Sequence, residues 1–111
     1  MGVLADKFRK ALEGRKTVGA FTFIFRRPTW EEAQRIAGGQ SAEKLTAHVI
    51  GWEGVRELDI IPGGDAQPAA FDAEACRLWL CDRPDLLGPV SEAIITAYEA
   101  HTARLEEALK N

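Results

Sequence analysis

The sequence predicts a mainly α, α+β fold in one domain, residues 1–111, with about five helices and a short N-terminal β-strand or hairpin. Apolar residues recur at spacings of three and four along most of the chain, which is the signature of amphipathic helices. The stretch TVGAFTFIFRRP, residues 17–28, switches instead to alternation, which is the period of a strand. Glycine and proline mark the joints between these segments. A chain of 111 residues holds one domain and is short for two. At this size about two-thirds of the unfolded surface is buried, so a core needs neither metal nor disulfide.

The first element is a short amphipathic helix over 3–13. Val3, Leu4, Phe8, Ala11 and Leu12 lie on one side, Asp6, Lys7, Arg9 and Lys10 lie opposite, and Gly14 is the expected stop. Phe21, Phe23 and Phe25 then give a strand with one strongly apolar face, closed by Pro28. A lone strand is unstable, so residues 17–26 need a partner. The options are residues 55–61, a turn-back within 15–26, or a strand of another subunit. Thr29 and Glu32 form a capping-box pattern for a helix carrying Trp30, Ala33, Ile36 and Ala37, ended by Gly38-Gly39. Ser41 and Lys44 open the next helix.

Ala42, Leu45, Val49 and Trp52 continue as one helical stripe that places Trp52 in the buried final turn, with Gly54 as the stop and Val55 packing back. On that basis Trp52→Ala is expected to cost about 3–5 kcal/mol. Val55, Leu58, Ile60 and Ile61 suggest a short extended segment, and Pro62-Gly63-Gly64-Asp65 a turn. Asp72 is a good N-cap, with Phe71 as a staple, for a helix bearing Ala75, Leu78 and Trp79. After the break at Asp82-Arg83-Pro84 comes the longest helix, starting at Pro84 or Pro89. Its stripe is Leu87, Val90, Ile94, Ala97, Tyr98, His101, Leu105 and Leu109.

Composition narrows the function. The net charge of −3 argues against a whole-domain nucleic-acid binder. No apolar run approaches the ~18 residues that span a membrane. The opening MGVLADKFRKALEGRK lacks an apolar signal core and is expected to be a mature cytosolic N-terminus. Cys76 and Cys81, five apart on a helix, would sit roughly 8 Å and about 140° from each other. That spacing suits neither a disulfide nor a zinc pair, so two reduced thiols are expected, at least one of them in the core.

No pattern of catalytic residues stands out. Ser41 and Ser91 lack a nucleophile elbow, and His48 and His101 are expected to be packed rather than ligating. Glu31-Glu32 and Glu106-Glu107 are sequence neighbours that diverge around a helix. PGGD at 62–65 lacks the Lys-Ser/Thr ending of a phosphate loop. The expectation is therefore a non-enzymatic chain without cofactor or metal. The residues that point outward to a partner are Arg26 and Arg27, placed to hold an acidic group, and Trp30, an interface anchor in a first helical turn. Trp52 and Trp79 are expected in the core.

The order of the segments FRRPTWEEA (25–33), VIGWEGV (49–55), PAAFDAEACRLWLCDRPDLLGPVSEAI (68–94) and the end YEAHTARLEEALKN resembles the tail assembly chaperones of long-tailed bacteriophages and prophages. The likeness runs from about residue 20 to 111; the first helix adds nothing to it. It implies a chaperone in the host bacterial cytoplasm that coats the tape-measure protein while the tail tube polymerises around it. Contact with the tail tube protein and self-association are implied too, but not nucleic-acid or membrane binding. A frameshifted longer form occurs in many such phages. The alternatives are another small tail or head–tail morphogenesis protein and, from a different class, a small enzyme or toxin–antitoxin component. Gene context between a tail-tube gene and a very long tape-measure gene would separate them.

Overall fold

The computed structural model describes residues 2–37 and 41–110. Its elements are α1 (Val3–Ala11), β1 (Glu13–Val18), β2 (Phe21–Arg26), α2 (Trp30–Ala37), α3 (Ser41–Thr46), β3 (Val49–Glu53), α4 (Glu57–Ile60), α5 (Ala73–Cys81) and α6 (Pro84–Lys110). The fold is mainly helical with one small sheet, as the sequence predicts. The expected stop at Gly38-Gly39 lies outside the described residues.

The alternating phenylalanines form the middle of a three-stranded antiparallel sheet ordered β1-β2-β3. Of the partners considered for residues 17–26, the turn-back is realised. Val18 pairs with Phe21 around a two-residue loop whose first residue, Gly19, has φ 62°, the glycine-first loop that matches strand twist. The third strand is 49–53 rather than 55–61. Gly14 does not stop a helix; it belongs to β1 opposite Phe25. A Cβ there would lie 2.6 Å from the Phe25 ring, so the ring occupies the space a side chain would need.

Trp52 is buried as expected, but on a strand, not in the last turn of a helix. The helical stripe through Ala42, Leu45, Val49 and Trp52 is broken at Thr46, where α3 ends. A bulge explains the misleading spacing. Phe25 pairs with Val49 and Ile24 with Gly51, which leaves Ile50 as an extra residue on β3. The insertion shifts the parity of the strand, so Val49 and Trp52 both face inward although three apart. Gly54 follows at φ 78°, and a Cβ on it would collide with the Ala20 carbonyl. Its role is a left-handed turn pressed against the hairpin loop, not a helix cap.

The inner sheet face carries Phe23 and Phe25. It packs with Leu45, Val49, Trp52 and Val55 against Cys76, Trp79 and Leu80 of α5 and Leu86, Val90 and Ile94 of α6. Trp52 sits edge-on to Phe71 at 5.1 Å and to Trp79 at 6.1 Å between ring centres, and its Nε1–H donates to the Ala69 carbonyl at 2.9 Å. On the outer face, which also carries Ile24, Arg15 reaches across β2 to Glu53 through two hydrogen bonds of 3.1 and 2.8 Å.

Residues 57–60 form one helical turn instead of the expected extended segment. Asp59 sets this locally by accepting from the Arg56 backbone N–H at 2.9 Å and from its guanidinium at 3.1 and 3.0 Å. Asp72 caps α5 through the Ala75 N–H at 2.9 Å, as expected. Phe71 lies against Trp52. The last helix begins at Pro84 and runs through Pro89. Proline fits the first position, where its missing N–H costs nothing, and at 89 it removes one donor near the helix start.

Candidate partner-binding surface

α2 is fixed in place by its first turn. The Thr29 N–H donates to the Glu32 carboxylate at 2.9 Å and the Glu32 N–H to the Thr29 hydroxyl at 3.3 Å, so the expected capping box forms. The Thr29 N–H is the main reason the Glu32 carboxyl sits below its usual range. At the far end Lys44 donates to the Arg35 carbonyl at 2.9 Å, tying α3 to the last turn of α2. This places Trp30 at the first helical residue with its side chain 67 % exposed.

Behind α2 lies an apolar cleft of about 170 Å³ between α2, α3 and α6, lined by Pro28, Ala33, Ile36, Leu45, Ile95 and Tyr98. Ile95 is itself 44 % exposed. A second cleft, about 420 Å³, opens between α1 and the sheet, where Phe8, Arg9, Arg26, Arg27 and His48 meet Glu32. A third, about 680 Å³, runs along β1 and α6 past Arg15, Lys16 and Ala97.

Two of the three residues singled out in the sequence therefore come together. Arg26 and Arg27 line the same cleft, and Trp30 stands outside both it and the apolar one. Arg26 donates its backbone N–H to the His48 carbonyl at 2.9 Å, and its buried Nε finds no partner among the described residues. Arg27 bridges elements. Its N–H donates to the Leu12 carbonyl at 2.8 Å and its guanidinium to the Pro28 carbonyl at 3.0 Å. Burial, then the charge of Arg104, pulls the Arg27 pKa below that of a free arginine. His101 is pushed down by burial and by the nearby Arg27 and Arg104, which favours its neutral form at pH 7.

The sequence reading missed Phe8 and Ile95 as surface residues. Phe8 belongs to an apolar stripe that α1 leaves uncovered, and Ile95 follows Ile94 one position off the core stripe. Spacing alone gave no signal that either faces a cleft. Cys76 is buried and Cys81 exposed, both free thiols; burial pushes the Cys76 thiol up to about 12. Among the described residues, no group of three or more His, Cys, Asp and Glu side chains is arranged to hold a metal ion. No helix among them is long and apolar enough to cross a membrane.

These features define an α+β chain with a small apolar cleft, a cation-lined cleft beside it and an exposed tryptophan. No family model matches the chain, and neither a curated protein nor a solved structure matches it.

Proposed function

We propose that this protein is a non-enzymatic tail assembly chaperone of the long-tailed phage or prophage type, acting in the host cytoplasm on the tape-measure protein. The observation that carries the proposal is the apolar cleft of Pro28, Ala33, Ile36, Leu45, Ile95 and Tyr98, close in the chain to the exposed Trp30. A cleft bounded by three helices with almost no polar lining suits the apolar stripe of a helical client. The exposed Trp30, three residues before Ala33 on the same helix, is the type of side chain that anchors such contacts. Arg26 and Arg27, one step further along the same segment, would complement acidic residues flanking the client stripe. The order of sequence segments resembling the tail chaperones supplies the identity of the client.

Co-expression with the tape-measure protein and affinity capture of the chaperone test this. The wild-type chain is expected to retain the client. Trp30→Ala is expected to weaken retention by about 30-fold, the scale of a 2 kcal/mol anchor. A folded wild-type protein that captures no tape-measure protein would sink the proposal.

A further inference from the structure

We propose that two copies of this chain pair through their projecting ends, α1 of each lying on the α6 tail of the other. The pairing rests on exposed helix faces and gives a geometry to the self-association that the resemblance to tail chaperones implies. Two amphipathic faces are left without cover. The buried stripe of α6, Leu86, Val90 and Ile94, continues through Tyr98 and His101 to Leu105 and Leu109, yet all side chains from 103 to 110 are exposed, Leu109 at 77 %. α1 has no buried residue, and its Val3, Leu4 and Phe8 are 72, 80 and 57 % exposed. Isolated helices this short are marginal in water without a packed face.

The two faces suit each other. α1 carries Lys7, Arg9 and Lys10 against a single acid, Asp6, with which Arg9 pairs at 2.8 Å. The tail carries Glu99, Glu106 and Glu107 against Arg104 and Lys110. Lys7 and Lys10 have no ion pair among the described residues, nor do Glu99 and Glu106. Four and seven residues on from Val3, Lys7 and Lys10 fall beside it around the helix rather than opposite, as the sequence reading had them. Each helix therefore carries next to its apolar stripe charge the other lacks. With nine residues, α1 is about 14 Å long, and the tail from Tyr98 onward is about 20 Å, enough to receive it.

Symmetry follows from where the two helices emerge. α1 ends at Leu12, whose carbonyl holds the Arg27 N–H at 2.8 Å, and Arg27 lies close to Arg104 on the tail. Both faces thus leave the same end of the domain. A two-fold axis there makes both α1–tail contacts at once. One such contact falls short of the ~800 Å² per partner of a stable interface, and its duplication brings the total toward it. The route differs from strand addition, because β2 is fully paired inside the sheet.

Light scattering after size exclusion, over a range of protein concentrations, tests the pairing. Wild type is expected at twice the chain mass, shifting to monomer on dilution and in high salt. Leu105→Glu with Leu109→Glu is expected to give a monomer with an unchanged far-UV spectrum. Lys7→Glu/Lys10→Glu and Glu99→Lys/Glu106→Lys should each weaken the dimer by about tenfold or more. Mixing those two charge variants should restore a heterodimer, since both contacts then regain opposite charges. The charge variants decide the matter even if the leucine variant fails to fold. A monomeric wild type, a dimer indifferent to every substitution, or a mixture that recovers nothing would overturn the proposal.

Discussion

Replacing Trp52 with alanine removes the side chain around which the sheet, the loop after α4 and α5 are joined. The indole is 9 % exposed, meets Phe71 and Trp79 edge-on at 5.1 and 6.1 Å, and donates to the Ala69 carbonyl at 2.9 Å. A buried tryptophan removes about 200 Å² from water, worth about 5 kcal/mol at ~25 cal/mol per Å². Alanine retains a small part of that area, and the cavity left behind adds to the loss, so the expected cost is about 4 kcal/mol. Trp52→Phe keeps most of the ring contact and loses the hydrogen bond, at about 1–2 kcal/mol. Urea unfolding followed by far-UV circular dichroism measures both, with the denaturant slope expected to stay constant. A melting point lowered by roughly 15–20 °C for the alanine variant is the thermal counterpart. A cost below about 1 kcal/mol for alanine, or equal costs for alanine and phenylalanine, would refute this view of the core.

Gly54 and Gly19 both have positive φ, but only at Gly54 would a Cβ strike backbone. Gly19→Ala is therefore expected to cost about 1 kcal/mol and Gly54→Ala clearly more, about 2–3 kcal/mol, in the same unfolding assay. Thr29→Ala removes a cap and should cost about 1 kcal/mol of stability. The Glu32 pKa lies lower in the folded state than in the unfolded chain. Its contribution is thus full above the ordinary glutamate range and disappears as the pH falls through the lowered folded value. Glu32→Gln should flatten that part of an acid titration of stability. A native-state thiol titration with a disulfide reagent should modify Cys81 rapidly and Cys76 only on unfolding, because Cys76 is buried with its pKa near 12. Cys81→Ser should then leave no fast-reacting thiol.

Much of the fold was legible because its signals are local. The Thr29–Glu32 box, the Asp72 cap, the Phe21-Phe23-Phe25 alternation and the long stripe of α6 each depend on residues within a turn or two, and each appears where the sequence places it. β3 was hidden by the extra Ile50, which spaces its inward residues as a helix would. β1 was hidden because Glu13-Gly14-Arg15-Lys16 has no strand composition; its place is set by pairing with β2 and by the Phe25 ring over Gly14. The turn at 57–60 depends on one side chain, Asp59, gripping Arg56. At the surface, the sequence pointed to Arg26, Arg27 and Trp30, and the structure groups only the two arginines. The apolar cleft closes only when α6 brings Ile95 and Tyr98 from far along the chain onto α2 and α3, so no window of sequence displays it.

The most direct measurement is the solubility of the full tape-measure protein expressed with and without this chain. Soluble tape-measure protein that co-purifies with the wild-type chain, and returns to the insoluble fraction with Trp30→Ala combined with Ile95→Glu, is the predicted result. Tape-measure protein that stays insoluble beside a well-folded wild-type chain, or is solubilised equally by the double variant, would contradict it.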